Sequence, residues 1–140
     1  MIIRIEAHVD NAPGRHEVVL ATNGTSRALA VPPKVEGGSS ANGGELLCLA
    51  LATCYCNDAY REAAKRGIDV TRVAVEVHAE FGAAGEPARA IRYRADIEAR
   101  AGVDAIRALM LHTDAVAEVQ RTLRLGLDVR FEPGEARPRP

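Results

Sequence analysis

The residues best suited to chemistry are three cysteines, Cys48, Cys54 and Cys56, which lie close together in and just after an apolar segment. An odd number of thiols in so short a stretch excludes a disulfide framework. On one helix, residues two apart point about 200° apart, and residues six apart are separated by about 9 Å of rise. Neither spacing fits a disulfide within the helix, whereas a partner cysteine on a second copy of the chain remains open. The chemistry that remains is that of a single thiolate nucleophile, which requires a lowered pKa and a cationic neighbour.

Cys54 is the central candidate, and its sequence neighbours act on it in opposite directions. Asp58 lies one helical turn beyond it on the same side, where a carboxylate raises the pKa of a thiol. Pairing of Asp58 with Arg61 or Arg66 would weaken that effect. Cys54 is also about three turns into its predicted helix, too deep for the N-terminal dipole to act strongly. The alternative is that Cys54 is a small core residue without reactivity.

Metal and cofactor chemistry have weak support in the sequence. The Cys-x-Cys pair lacks a second pair of ligands at a suitable spacing. His8 and His78 fall on the polar faces of predicted strands, which favours solvated side chains. Glu45 stands three residues after Asn42, the spacing of a capping box, so we interpret it as a helix cap. We therefore expect no metal and no bound cofactor.

The elements that must position these residues follow from apolar periodicity and turn signals. In the first half, alternating residues predict an antiparallel meander of three strands, with an Asn23-Gly24 hairpin turn before the third. Its strands are predicted at residues 3–9, 17–21 and 27–31. A long helix is predicted next, from the Asn42 cap to the stop at Gly67. Its first half, residues 46–55, is apolar around the whole circumference.

The second half of the chain predicts a β-hairpin, a second helix and a last short strand. The hairpin strands are predicted at 73–81 and 91–99, with a loop at 82–87 between them. The helix is predicted from 103 to about 123, with any break near 112–114, and the last strand at 127–131. The class is α+β, in a single domain over residues 1–140, with 133–140 expected to be a flexible tail.

Net charge and hydropathy limit the classes of partner and the cellular compartment that we expect. The 18 basic and 19 acidic residues nearly cancel, so nucleic acid is not an expected partner. No apolar run reaches membrane-spanning length, and charges interrupt the apolar N-terminus, so we expect neither a membrane partner nor a signal peptide. The expected compartment is the cytoplasm. A helix apolar all round is hard to enclose in so small a chain, which predicts a homodimer.

The order of these elements and one helical segment resemble the OsmC/Ohr family of organic hydroperoxide resistance proteins. Residues 42–47, Asn-Gly-Gly-Glu-Leu-Leu, run into residues 49–54, Leu-Ala-Leu-Ala-Thr-Cys, similar to the family's Pro-x-Glu-Leu-Leu and Ala-Leu-Ala-x-Cys segment. Residues 119–129 resemble its C-terminal pattern. The resemblance implies an intertwined dimer in which the long helices of the two chains pack against each other at the centre.

The resemblance also implies that Cys54 is the cysteine that reduces organic hydroperoxides, with Arg15 holding its thiolate. Ala117 stands where active members carry a second cysteine, and the family's Glu falls on Gly44, next to Glu45. A one-cysteine peroxidase regenerated by an external thiol is the first hypothesis, with Cys56 and Glu45 as possible accessory groups. The alternatives are an OsmC-like dimer that binds a small hydrophobic molecule without turnover, and a purely structural dimer.

Overall fold

A computed structural model describes all residues from Met1 to Pro140, and the chain divides into two compact units, Met1–Leu49 and Ala50–Pro140. The first unit contains a three-stranded antiparallel sheet in the order β1-β2-β3. The strands are β1 (Ile5–Ala12), β2 (Arg15–Thr22) and β3 (Thr25–Ala28). The predicted meander is confirmed, although the single domain over residues 1–140 stays a prediction.

Tight turns set the register of this sheet and explain where the predicted strand ends were wrong. Asn23 and Gly24 both have positive φ, 49° and 83°, as a two-residue hairpin turn requires. Such a turn pairs its flanking residues at once, so Thr25 faces Thr22 and β3 begins there rather than at residue 27. Similarly, Ala12 pairs with Arg15, so β1 extends beyond its predicted end at residue 9.

The long helix α1 (Gly43–Lys65) begins and ends at the predicted signals. The backbone N–H of Glu45 donates to Asn42 Oδ1 at 2.8 Å, and that of Asn42 donates to Glu45 Oε1 at 3.0 Å, which is a reciprocal capping box. At the other end Gly67 has φ +66°, the left-handed conformation that a C-terminal glycine supplies. These local bonds fix the phase of α1 and therefore the direction of every side chain on it.

The second unit contains a β-hairpin and two shorter helices. β4 (Asp69–Phe81) pairs antiparallel with β5 (Ala88–Arg100), and the loop between them covers the predicted residues 82–87. They are followed by α2 (Val103–Val116) and α3 (Glu118–Leu125). The core lies where α1, β5 and α2 meet, and it contains Tyr55, Ala59, Ala63, Ile97 and Leu109. No helix combines the length and the hydropathy that a membrane span needs.

Two predictions for the C-terminal part were wrong. The break in the predicted helix lies at Ala117, which has φ −64° and ψ 118°, and not near residues 112–114. Residues 127–131 form no strand, although they alternate as a strand would. A strand needs a neighbouring strand to accept its hydrogen bonds, and Leu127, Val129 and Phe131 are instead 68%, 93% and 86% exposed.

Candidate functional site

Cys54 lies on α1 with its side chain partly buried, and two carboxyl groups contact its sulfur. Sγ is 3.6 Å from Asp58 Oδ2 and 3.6 Å from Glu118 Oε2. Asp58 is presented by the same helix one turn later, as the i,i+4 spacing requires. Glu118 is the first residue of α3, so it reaches the site only because α2 ends at the residue before Ala117.

The pKa of the Cys54 thiol is raised, above all by burial, and further by the carboxylates of Asp58 and Glu118. Hydrogen bonds from the backbone N–H groups of Val119 and Glu118 act in the opposite direction and lower it. These amides belong to the first turn of α3, where N–H groups have no partner within the helix. The resting group is therefore a thiol, with donors already placed for a developing thiolate.

Asp58 and Glu118 form a hydrogen-bonded carboxyl pair that Arg61 holds together. Arg61 Nη1 is 3.1 Å from Asp58 Oδ1 and 2.9 Å from Glu118 Oε1. Burial and the hydrogen bond with Glu118 raise the pKa of Asp58 to about 6, while the pKa of Glu118 is lowered. Asp58 is the buried member, with a side chain 8% exposed against 62% for Glu118, so a proton that the pair binds resides on Asp58.

A second buried carboxylate extends this cluster towards α2. Glu62 is 4% exposed and accepts hydrogen bonds from Arg61 and Lys65, at 2.9 and 2.8 Å. His112 Nε2 lies 2.7 Å from its other oxygen. These partners lower the pKa of Glu62 to about 2. Glu62 therefore fixes the guanidinium of Arg61 and, through His112, ties α2 to the helix that carries Cys54.

Two of the remaining candidates have local partners. Arg15 Nη2 lies 2.5 Å from Asp10 Oδ1, and its Nη1 lies 3.2 Å from Glu17 Oε1, so its charge is paired within the first sheet. Glu45 completes the capping box, as interpreted from the sequence. The role of Arg15 at a thiolate stays a prediction.

Two further candidates occupy small or enclosed spaces. Cys56 lines a cavity of about 230 Å³ with Ala52, Val73 and Val75, between α1 and β4. Ala117 is fully buried at the break between α2 and α3. The position predicted for a second cysteine is thus occupied by a methyl group, next to a residue that contacts Cys54.

Glu118 was not predicted as a site residue, although one signal for it was present in the sequence. The resemblance placed Ala117 opposite Cys54, so its neighbour was a candidate for the same site. Without the break at Ala117, however, Glu118 would be one more charged residue on a helix surface. Arg61 was considered as a partner of Asp58, and this ion pair is confirmed.

The sulfur of Cys54 and one oxygen each of Asp58 and Glu118 lie within 4.8 Å of one another, a donor set that zinc accepts. Arg61 argues against a cation there, since its guanidinium contacts both carboxyl groups and supplies their positive charge.

A mainly apolar cavity of about 300 Å³ is lined by sequence neighbours of Cys54 and Glu118, although by neither of these two residues. Its walls include Leu51, one turn before Cys54 on α1, with Ile91 and Tyr93 of β5 and Leu123 of α3. Gln120 reaches between them and donates from Nε2 to the Leu51 carbonyl at 3.0 Å. A mostly apolar space with few polar groups is typical of sites for small organic molecules.

Residues 36–132 match the family described as OsmC-like protein. Among solved structures, the chain is similar to an OsmC-like protein from Mycoplasma pneumoniae, with a TM-score of 0.58 and 14% identity, over 85% of this chain and 87% of that one. An OsmC-like hydroperoxide resistance protein from Jannaschia sp. CCS1 has a TM-score of 0.56 and 15% identity, over 96% and 95%. A hypothetical protein from Aquifex aeolicus VF5 has a TM-score of 0.57 and 12% identity, over 90% of this chain and 89% of that one. No curated protein matches the chain.

Proposed function

Since this chain belongs to the OsmC-like protein family, we propose that it reduces organic hydroperoxides with Cys54 as the reacting thiol. The observation that carries the proposal is the surroundings of Sγ, where backbone N–H groups and a carboxyl pair meet at one partly buried sulfur. The name of the Jannaschia neighbour, a hydroperoxide resistance protein, supports the same chemistry. The mainly apolar cavity that Leu51 and Gln120 help to line offers space for the organic part of the substrate.

The reaction runs with one cysteine. The sulfur attacks the terminal peroxide oxygen, the O–O bond breaks, and Cys54 becomes a sulfenic acid while an alcohol leaves. Ala117 cannot supply a second thiol, so a small external thiol must reduce Cys54 again. We propose the cytoplasm as the compartment, because thiols are kept reduced there. Arg15 is proposed to stabilise the thiolate, as the family resemblance implies.

We propose that the working form is a homodimer. The apolar half of α1 is not enclosed within one chain, since Leu46 and Leu49 are 39% and 56% exposed. Large side chains exposed on an apolar stretch mark an interaction surface. A second copy of α1 presents the same surface, and a twofold contact would cover both at once.

The test is steady-state consumption of cumene hydroperoxide with a dithiol such as dihydrolipoamide as reductant. The wild type should turn over, and Cys54→Ser should abolish turnover. Cys56→Ser and Cys48→Ser are matched controls, because they remove a thiol from the same helix and should leave most of the activity. Absence of any turnover, with Cys54 still reduced by mass spectrometry, would overturn the proposal.

A second function has one observation in its favour. The raised pKa of Cys54 opposes reactivity, whereas the apolar cavity exists whether or not the thiol reacts. The alternative is therefore a protein that binds a small hydrophobic molecule without turnover. Saturable binding of such a molecule in a protein with an inert Cys54 would favour it.

A further inference from the structure

The reduction of a hydroperoxide by a thiol must move a proton from sulfur to oxygen. The thiol has to lose its proton before it attacks, and the departing alkoxide is a strong base that has to gain one. We propose that the Asp58–Glu118 carboxyl pair makes this transfer, taking the proton of Cys54 and giving it to the leaving oxygen. The inference rests on the proposed hydroperoxide reduction and assigns two further residues to that reaction.

The division of oxygen atoms within the cluster supports this role. Arg61 takes the outer oxygens, Asp58 Oδ1 at 3.1 Å and Glu118 Oε1 at 2.9 Å. The inner oxygens, Oδ2 and Oε2, are the ones that lie 3.6 Å from Sγ. The guanidinium therefore binds both carboxyl groups through their outer oxygens and leaves the inner oxygens, which lie near the sulfur, free to exchange a proton.

The step balances without a further reagent beyond the hydroperoxide. The S–H proton passes to an inner carboxylate oxygen, and the sulfur forms a bond to the terminal peroxide oxygen. The O–O bond breaks, the pair returns a proton to the alkoxide, and the carboxyl groups end as they began. Cysteine is oxidised to sulfenic acid, and the hydroperoxide is reduced to an alcohol and so takes up two electrons.

The other charged groups around the pair come from each packed helix. Arg61 of α1 contacts both carboxyl groups and also pairs with Glu62 of α1. Lys65 of α1 and His112 of α2 reach the cluster through Glu62. On α3 the backbone N–H groups of Glu118 and Val119 face the sulfur. Since Arg61 contacts each carboxyl group on the oxygen other than the one near the sulfur, the inner oxygens are left to accept the thiol proton.

The double variant Asp58→Asn/Glu118→Gln separates this role from a merely electrostatic one. Alkylation by iodoacetamide needs only the thiolate, because iodide leaves without a proton. Removing two carboxyl groups next to the sulfur should lower the pKa of the thiol and raise the alkylation rate of Cys54 at neutral pH roughly tenfold. Reaction with cumene hydroperoxide should instead slow by about 100-fold, since a positioned acid contributes about 10²–10⁴ in rate. Opposite changes are the expected result.

The leaving group provides an independent readout. Peracetic acid releases a carboxylate, which needs no proton, so its reaction with the double variant should keep or exceed the wild-type rate. Asp69→Asn/Glu98→Gln is the matched control. Both residues pair with an arginine, and the Glu98 side chain is 62% exposed, as is that of Glu118. This control should change none of the three rates.

The possible failures are distinguishable. If wild-type Cys54 reacts with no hydroperoxide, the proposed function fails and the proton transfer with it. If the wild type reacts and the double variant reacts as fast with cumene hydroperoxide, only the proton transfer is overturned. Should the double variant not fold, Glu118→Gln alone carries the same comparison, because this side chain is largely exposed.

Discussion

Replacing Leu49 by Glu should separate the proposed homodimer into monomers. Leu49 lies on the apolar half of α1 and is 56% exposed in the single chain. Complete burial of a leucine is worth about 1.5–3 kcal/mol, so covering the remaining half contributes about 1 kcal/mol per copy. In a twofold contact Leu49 is covered in both copies, so its contribution to the free energy of association is about 2 kcal/mol. This corresponds to roughly 30-fold in the dissociation constant. Burying two uncompensated carboxylates adds a further penalty of several kcal/mol.

Sedimentation velocity across a concentration series is the appropriate assay. The wild type should sediment as a dimer at micromolar concentration, and Leu49→Glu as a monomer or as an unfolded chain, since obligate dimers often lack a stable monomer. Val103→Glu is the control, because Val103 is 60% exposed but lies at the start of α2. A folded wild-type monomer at micromolar concentration would contradict the proposed dimer, and a Leu49→Glu variant with unchanged association would contradict the proposed contact surface.

Three other changes test separate parts of the structure. Ala117→Cys should form a disulfide with Cys54 on oxidation, because the adjacent Glu118 already contacts Sγ. Mass spectrometry of an unreduced digest checks this, and a finding of only sulfenic acid at Cys54 would contradict the placement of Ala117 opposite Cys54. Tyr93→Phe removes the hydroxyl that donates to Asp114 and keeps the ring that packs on Tyr55, so urea unfolding should show a loss of about 1.5–3 kcal/mol. The lowered pKa of Glu62 stabilises the fold above its ordinary pKa near 4.5, and this contribution should disappear as the pH falls towards 2. Urea midpoints measured over that range should fall with pH in the wild type, and Glu62→Gln should flatten the dependence.

The parts of the fold that depend on local sequence could be predicted. The Asn23-Gly24 turn, the Asn42–Glu45 capping box and the hairpin loop at 82–87 each depend on residues a few positions apart. The helical segment ending at Cys54 predicted the family, and the match over residues 36–132 confirms it. In each case the side chains that determine the conformation lie within one or two turns of it.

The parts that could not be predicted depend on distant contacts. Glu118 meets Cys54 across 64 positions of sequence, and no periodicity indicates such a meeting. The strand expected at 127–131 had the right alternation, but alternation does not supply a pairing partner. The pKa of Asp58 follows from its burial and from Glu118, so only the sign of its effect on the pKa of Cys54 could be predicted, and not its strength.

The break at Ala117 also implies a conflict between local preference and tertiary structure. Alanine has the highest helix propensity of all residues, yet Ala117 is extended and fully buried between two helices. In one continuous helix, the N–H groups of Glu118 and Val119 would bond to carbonyls four residues earlier and would not be available to the sulfur. Local frustration of this kind persists where the rest of the protein imposes it, and it is concentrated at functional sites. Relieving it by joining α2 to α3 would stabilise a helix and deprive Cys54 of its amide donors.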